Sequence, residues 1–406
     1  MNAMDMNELN QVRELLREPA PPSAEVSAKA LSRLEDEMAS DRGRLLRLSS
    51  GTRPWSGWTF RIGVGLVAAG AAAAAVIVVT GQGSPGSTPH PPSGVDLGRQ
   101  AVLAAAQKAE AQPAGKYWHA DVISGQSYVV RAKSGAAYAI VGAHSELFGW
   151  HGVKPGMGEM YYDRDLPVHP LTARDAALWR KDGAPSSFRV WSGDKHLTLT
   201  TKATKWRSEG ANVGLDPNGG GRFALGKSAK ELQNLPTDPA KLTEMFLDET
   251  KESGQKAEMQ RLAQHVGPQV LPNIKIRTVS ALLGGPTPPK VRAGLIRALT
   301  AQKGVQAIGR VTDPLGRPGV ALAGYSLPST DNGEFGTPKS EQGTYRSRNV
   351  IVFDERTGAL LALENQLTEP GGAYKKMKPG FVINYELTRA SGWADTRPEP
   401  PAKLPF

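Results

Sequence analysis

The longest uninterrupted apolar run of the chain is Ile62–Val79, IGVGLVAAGAAAAAVIVV. With Trp58–Phe60 before it, this run is long enough for a helix across about 30 Å of hydrocarbon, and Trp55 and Trp58 lie where an interfacial aromatic belt is expected. Sixty residues precede the run, which excludes an ordinary signal peptide. An Ala-rich helix of a protein core is the alternative. We predict one membrane helix over 58–80 and, because no second such run occurs, a single-pass anchor.

The charges beside this run predict its orientation. Five arginines lie within the twenty residues before it, and no Lys or Arg follows until Arg99. The five are Arg42, Arg44, Arg47, Arg53 and Arg61. Basic residues stay on the cytoplasmic side of a membrane helix. The sequence therefore predicts a cell-membrane protein with a cytoplasmic N-terminus and an extracytoplasmic C-terminal domain.

Residues 1–54 read as a short cytoplasmic helical segment. A helix over Met6–Glu18 is followed by a second helix, whose N-cap is Ser23. Apolar residues recur in the second helix at four-residue spacing, at Val26, Ala30, Leu34 and Met38. So small a segment cannot bury this stripe by itself, so we expect it to contact a partner protein, another copy or the membrane surface.

The rest of the chain predicts a disordered Gly/Pro/Ser linker over 81–94 and an α+β domain over 95–406. A division of this domain into two lobes, 95–225 and 226–406, is one alternative. Predicted helices cover 95–112, 172–181, 229–234, 239–253, 255–266, 274–283 and 288–302. Predicted strands cover 117–123, 127–132, 136–141, 187–191, 305–312, 320–327, 349–353, 359–366 and 381–388. Residues 212–222 are Gly-rich and read as a loop. Strands, then helices, then strands indicate an antiparallel sheet covered by helices.

Composition narrows the function. The 406 residues include no cysteine, which excludes disulfides, thiolate zinc sites, iron–sulfur clusters and cysteine nucleophiles. The net charge is +10, yet residues 1–61 are neutral overall, so the excess belongs to the predicted outer part. Nucleic acid is an improbable partner there, whereas an anionic lipid or wall polymer is physically reasonable. A scattered, solvated surface charge explains the excess equally well.

One stretch matches a nucleotide-binding motif. Gly221–Ser228, GRFALGKS, fits the phosphate-loop pattern G-x4-G-K-[ST], with Lys227 as the phosphate ligand, and Val350–Glu355 imitates the strand that ends in a Mg²⁺-binding acid. A phosphate loop must follow a buried strand, but SEGANVGLDPNGG precedes this one. We therefore predict a glycine loop that leads into a helix capped near Ser228, and no cofactor.

Histidines and carboxylates concentrate in another stretch. These residues are His144, Glu146, His151, Glu159, Asp163, Asp165 and His169. Zinc is bound by such side chains, but neither HExxH nor H-x-H is present and prolines interrupt the stretch, so we predict a solvated loop and no metal site. A G-x-S-x-G nucleophile elbow is also absent from the sequence. We predict no catalytic residue.

Two C-terminal stretches carry a family resemblance. The segment 279–322, VSALLGGPTPPKVRAGLIRALTAQKGVQAIGRVTDPLGRPGVAL, and the segment 350–364, VIVFDERTGALLALE, resemble a family of actinobacterial single-pass membrane proteins of unknown function. The chain departs from that family at Gln302–Val305, where the family has a proline before the glycine. Genes for extracytoplasmic-function sigma factors often lie beside those of the family. The D-x-x-T-G turn and hairpins also resemble the curved sheets of lipoprotein carriers and sigma-regulator outer domains.

The resemblance implies an anti-sigma or signalling role and supplies no catalytic residues. Our leading hypothesis is a non-enzymatic, membrane-anchored envelope signalling protein, in which residues 1–54 contact a cytoplasmic partner such as a sigma factor. The absence of cysteine excludes the zinc-binding type of anti-sigma domain. The alternative is a tethered envelope module that binds or carries a lipid or polymer.

Overall fold

The computed structural model describes residues 96–132, 135–154, 156–192, 195–209, 223–248 and 267–406. The predicted cytoplasmic segment 1–54, membrane helix 58–80 and linker 81–94 lie outside the described residues, as do the predicted loop 212–222 and helix 255–266. No helix within the described ranges combines the length and the apolar character needed to cross a bilayer.

Six α-helices and thirteen strands make up the described part of the chain. The helices are α1 (Leu97–Glu110), α2 (Ala173–Lys181), α3 (Ala229–Gln233), α4 (Pro239–Phe246), α5 (Leu271–Gly284) and α6 (Pro289–Thr300). The strands are β1 (Tyr117–Arg131), β2 (Ala137–Gly152), β3 (Glu159–Asp165), β4 (His169–Pro170), β5 (Ser187–Ser192), β6 (Lys195–Thr200), β7 (Arg207–Glu209), β8 (Gln306–Thr312), β9 (Pro318–Ala323), β10 (Leu327–Asp331), β11 (Gly343–Phe353), β12 (Leu360–Glu369) and β13 (Val382–Ala394).

Eleven of these strands form one antiparallel sheet in the order β7-β3-β2-β1-β13-β12-β11-β9-β8, to which β4 and β10 add at β2 and β11. Strands β5 and β6 form a separate hairpin. The last strand pairs with the first from Tyr117 opposite Ala394 onwards, so the two ends of the described chain meet in the middle of the sheet. The predicted α+β class with a large antiparallel sheet and several helices is confirmed.

Helices cover one face of this sheet. Side chains of α1, α4, α5 and α6 pack with Val320 and Leu322 of β9 and Ile351 and Phe353 of β11 in a single apolar cluster. All four of these strand residues are fully buried. The alternation of β11 sends Val350 and Val352 to the opposite face, where they join a second cluster with Tyr385 and other residues.

The first strands are longer than the sequence pattern predicts. Residues 124–126 read as a turn between two short strands, but in the structure β1 continues through them with a change of register. A β-bulge takes up the extra residue without ending the strand. Near the other end, the predicted hairpin turn is confirmed: the Asp354 carboxylate accepts hydrogen bonds from the amides of Arg356 and Thr357 between β11 and β12.

Candidate functional site

A row of polar and aromatic side chains lies on the sheet face opposite the helices. Phe148 and Trp150 of β2 alternate with residues of the helix-covered face, and Glu146 continues the same row. His144, beside the bulge, points the same way because it contacts Tyr385. We call the surface formed by His144, Glu146, Phe148 and Trp150 the groove face. The predicted solvated loop is therefore wrong: these residues belong to a long strand, and His144 and Glu146 are only 5% and 0% exposed.

A buried ion network occupies the centre of the groove face. The Glu146 carboxylate accepts a hydrogen bond from Nε of Arg164 at 2.5 Å and another from a terminal nitrogen of Arg389 at 2.7 Å. Arg164 is on β3 directly opposite Glu146, whereas Arg389 comes from β13. One carboxylate between two guanidinium groups leaves an excess of positive charge, which favours electron-rich ligand atoms.

Asp121 of β1 lies beside this network and is 2% exposed. Burial, reinforced by the neighbouring Glu146 carboxylate, raises the pKa of Asp121 to about 8. Its distance to Arg389 is 3.8 Å, too long for a hydrogen bond that would offset the burial. Asp121 is therefore protonated at neutral pH and can donate a hydrogen bond to Glu146.

A histidine–tyrosine pair lies at one end of the groove face. The Tyr385 hydroxyl is 3.1 Å from Nε2 of His144, while Nδ1 of His144 faces the carbonyl of Pro167 at 3.5 Å. A carbonyl only accepts, so Nδ1 carries the proton and Nε2 accepts from the hydroxyl. Burial, with the nearby His169, lowers the pKa of His144 to about 3, so the imidazole is neutral.

Gly125 makes the histidine–tyrosine pair possible. It lies opposite Tyr385 in the pairing of β1 with β13, between Tyr385 and His144 of β2. A Cβ atom at Gly125 would lie 2.6 Å from Cζ and the hydroxyl oxygen of Tyr385. The tyrosine ring therefore crosses over β1 to reach the next strand only because this position has no side chain.

Residues 397–406 lie along the groove face without forming a strand or helix. Arg164 donates to the carbonyl oxygens of Ala402 and Lys403 at 3.4 and 2.9 Å, and Arg389 donates to that of Lys403 at 3.0 Å. The Phe406 ring centroid is 5.0 Å from that of His144. The ion network thus binds main-chain carbonyls, the electron-rich groups that its charge favours.

This segment follows β2 over most of the groove face. Its first residue, Arg397, places its guanidinium 5.2 Å from the centroid of the Trp150 ring. In the middle, Nε1 of Trp206 donates to the carbonyl of Pro401 at 2.8 Å, and Arg164 stacks 4.2 Å above the same indole. The order of contacts, from Trp150 to the ion network and then to the histidine end, describes an extended segment that runs along the groove face.

Of the other predicted metal-ligand candidates, His169 reaches the histidine end of the groove face, 5.8 Å from the His144 ring, and the rest lie elsewhere. His151 pairs with Glu159 at 3.0 Å and packs against the Phe223 ring. The half-buried Asp163 and the exposed Asp165 pair with Arg207, which is on β7. His169 contacts the Phe406 ring at 4.9 Å. Within the described ranges no three His, Cys, Asp or Glu side chains are grouped as a metal site.

The described part of the phosphate-loop match has a structural role. Ser228 caps helix α3 through a capping box with Glu231. Lys227 lies 5.7 Å from the centroid of the Phe246 ring. The second half of the match, at Val350–Glu355, is in an antiparallel part of the sheet, between β9 and β12. The helix predicted to be capped near Ser228 is confirmed.

Comparisons with known proteins show little likeness. No protein-family model matches the chain, and no curated protein matches it in sequence. A crystal structure of MucB in complex with MucA(peri) matches with 11% identity and a TM-score of 0.21 over 73% of this chain and 57% of that one. The complex structure of Pseudomonas aeruginosa MucA/MucB matches with 12% identity and a TM-score of 0.19 over 74% and 58%. The chain spans under two thirds of either structure's chain, and TM-scores this low do not define a common fold.

Sequence reasoning singled out His144 and Glu146 of the groove face, but neither Phe148 nor Trp150, and not the arrangement of the four. Histidines, glutamates and prolines in one stretch are typical of a polar loop, so the strand was missed. The overlooked signal is the alternation in SELFGWHG, where Glu146, Phe148 and Trp150 share one face. Arg389 and the segment 397–406 come from the far end of the chain, and no local pattern connects them to β2.

Proposed function

We propose that this protein is a membrane-anchored, non-enzymatic envelope signalling protein whose outer domain binds a polypeptide segment of a partner protein in the groove. The observation that supports this most directly is the contact between Arg164 and Arg389 and the main-chain carbonyls of residues 402 and 403. Buried guanidinium groups that donate to backbone oxygens recognise an extended polypeptide.

The groove is suited to binding and release because its charges keep their partners when the peptide leaves. Arg164 and Arg389 both remain bonded to Glu146. An unpaired buried charge would be costly, typically 3–5 kcal/mol, and this arrangement avoids that cost in both states. A surface that is stable when empty and when occupied can respond to the concentration of a partner.

The anchoring and the cytoplasmic contact rest on the sequence. The run Ile62–Val79 and the arginines before it support a membrane protein with residues 1–54 inside the cell. The family resemblance supports a sigma factor as the inner partner. The apolar stripe that includes Leu34 is the surface we assign to that contact.

The topology is tested with a reporter enzyme that is active only outside the cytoplasm. Fused after Gly94 of the full chain, the reporter should be active, and fused after Thr52 it should be silent. The reverse pattern would refute the orientation and, with it, the proposed function.

The cytoplasmic contact is tested by co-purification of the full-length, detergent-solubilised protein with a candidate extracytoplasmic-function sigma factor. Leu34→Asp should abolish co-purification, because it places a charge in the apolar stripe. Glu35→Gln, a change at a polar position of the same predicted helix, is the matched control and should leave co-purification intact. Equal recovery with all three chains would exclude the stripe as the contact.

A second candidate function is binding of an anionic lipid, which is favoured by one cleft. The cleft has a volume of about 460 Å³ and an apolar lining that includes Met377 and Phe381. Three basic side chains, Arg174, Lys376 and Lys378, and one acidic side chain, Asp175, also line it. Apolar walls beside three basic side chains fit an anionic amphiphile.

Lipid binding to the detergent-solubilised, full-length protein separates the two candidates, because the predicted membrane helix would carry every chain into vesicles whatever the cleft binds. Fluorescently labelled phosphatidylglycerol should bind more tightly than phosphatidylcholine with the same label. Since a basic side chain near an anionic surface contributes about 1 kcal/mol, the double change Lys376→Glu and Lys378→Glu should lower binding at least tenfold. Lys290→Glu on α6 is the control. Equal binding by all chains would exclude this cleft as a lipid site.

A further inference from the structure

The segment 397–406, RPEPPAKLPF, contains four prolines in ten residues. Proline restricts φ to about −65° and disfavours helical conformation in the residue before it, so this composition favours an extended polyproline-type conformation. The segment makes no backbone–backbone hydrogen bond to the rest of the described chain. Its main-chain carbonyls are therefore available to side-chain donors.

The groove face supplies those donors together with aromatic surfaces. Trp206 contributes an indole N–H to the carbonyl of Pro401 at 2.8 Å, and the indole itself is stacked by Arg164. Trp150 offers a second aromatic surface at the other end, where it contacts Arg397. Aromatic rings combined with a tryptophan N–H directed at a carbonyl are the means by which proteins bind extended proline-rich peptides.

We propose that the groove recognises extended, proline-rich segments of a partner protein, and that residues 397–406 occupy it as a resident competitor. This inference rests on the proposed function and specifies the partner's chemistry. The partner segment carries prolines with free carbonyls where Pro401 to Lys403 lie, an aromatic side chain next to His144, and a basic side chain near Trp150.

The resident segment is bound loosely enough to be displaced. Leu404 and Phe406 remain 39% and 52% exposed, although Phe406 contacts the rings of His144 and His169. The four prolines of the segment are half-buried, so its contact with the groove face covers only part of its apolar surface. Its advantage over a free peptide is covalent connection, which gives it an effective concentration in the millimolar range. A partner segment must exceed that advantage to bind.

The test measures binding of a fluorescein-labelled peptide with the sequence of residues 396–406, blocked at both ends, by fluorescence anisotropy. The proteins are the full-length wild type and a full-length variant with a Gly/Ser stretch of equal length in place of 397–406. Because the resident competitor is absent, the Gly/Ser variant should bind the peptide at least tenfold more tightly than the wild type. A full-length Phe406→Ser variant, which weakens the resident segment by one contact, should bind with intermediate affinity.

Two tryptophan variants locate the binding. In the Gly/Ser background, Trp206→Phe keeps an aromatic ring but removes the indole N–H, so peptide affinity should fall at least fivefold. Trp179→Phe is the matched control, since Trp179 also donates to a proline carbonyl, that of Pro185, but outside the groove. It should leave affinity unchanged. Equal affinities for Trp206→Phe and Trp179→Phe would refute the groove as the binding site.

A second peptide separates this inference from the proposed function. Replacement of its four prolines by alanine should weaken binding at least fivefold, because the extended conformation is no longer favoured in the free state. If both peptides bind equally well, the groove binds polypeptides without selecting proline, which overturns the inference and leaves the proposed function intact. If neither peptide binds any variant, including Phe406→Ser, then this surface does not bind polypeptides, and both the inference and the proposed function of the groove are wrong.

Discussion

The protonated state of Asp121 leads to a pH dependence of stability that one substitution should remove. Asp121→Asn replaces a buried, protonated carboxyl with a neutral group of the same shape that can still donate to Glu146. Burial raises the pKa of Asp121 from 3.8 to about 8 in the folded protein. Between these values the folded chain holds a proton that the unfolded chain has released.

Proton linkage determines the direction in which the free energy of unfolding changes with pH. The Asp121 contribution to folding is fully present below pH 3.8 and is lost as the pH rises through about 8. In that window the free energy of unfolding of the wild type falls, through this group alone, by at most about 1.4 kcal/mol per pH unit. Asp121→Asn lacks that decrease. The variant should match the wild type near pH 4 and exceed it increasingly towards pH 8.

Thermal unfolding of the full-length protein at pH 5, 6.5 and 8, followed by tryptophan fluorescence, measures the difference. The entropy of unfolding is about 2.1 cal/mol/K per residue, so for the predicted domain 95–406 a change of 1 kcal/mol corresponds to about 1.5 °C in Tm. The gap between variant and wild type should therefore widen by about 2 °C per pH unit. Asp238→Asn, which keeps a good helix cap at an exposed position, is the control. Parallel pH profiles for the wild type and Asp121→Asn would refute the protonated state of Asp121.

Three further substitutions test how a hydrogen bond, a close backbone contact and a helix cap contribute to stability. Tyr385→Phe leaves a buried imidazole nitrogen without its donor, and urea unfolding should show a loss of about 1–3 kcal/mol, unlike the exposed Tyr325→Phe. Gly125→Ala forces a Cβ into the tyrosine ring and should cost about 1–3 kcal/mol, whereas Gly284→Ala meets no atom within 4 Å and should cost nothing. Ser228→Ala removes a capping box, so thermal melts should report a loss of about 0.5–2 kcal/mol, and an unchanged Tm would show that the cap is dispensable.

The local sequence pattern predicted helices and strands correctly where the periodicity of apolar residues and the capping residues agree. Helix α2 begins after Thr172, whose side chain accepts from the amide of Asp175, and it ends at Lys181 as the pattern predicts. In β13, Ile383, Tyr385 and Leu387 are buried in alternation, as their spacing indicates. Side chains of a strand alternate between the two faces of a sheet, so every second residue is buried when one face is covered. A short stretch of sequence is enough to show this alternation.

The strand β2 shows where local pattern is insufficient. Buried histidine and glutamate are uncommon, so a stretch that contains both reads as solvent-exposed. Glu146 is nevertheless fully buried, because Arg164 and Arg389 satisfy its carboxylate. Burial of a charge depends on partners, and here one partner is 243 residues away.

The class of the fold, the capped helices, the alternating strands and the location of the net positive charge in residues 62–406 can all be predicted from the sequence. Each of these depends on residues close together in the chain. The candidate site, in contrast, is assembled by long-range contacts. Pairing of β13 with β1 brings Arg389 beside Glu146 and directs 397–406 across the groove face. Long-range strand pairing sets these contacts, since the charge-assisted hydrogen bonds form only after the sheet has placed their donors and acceptors.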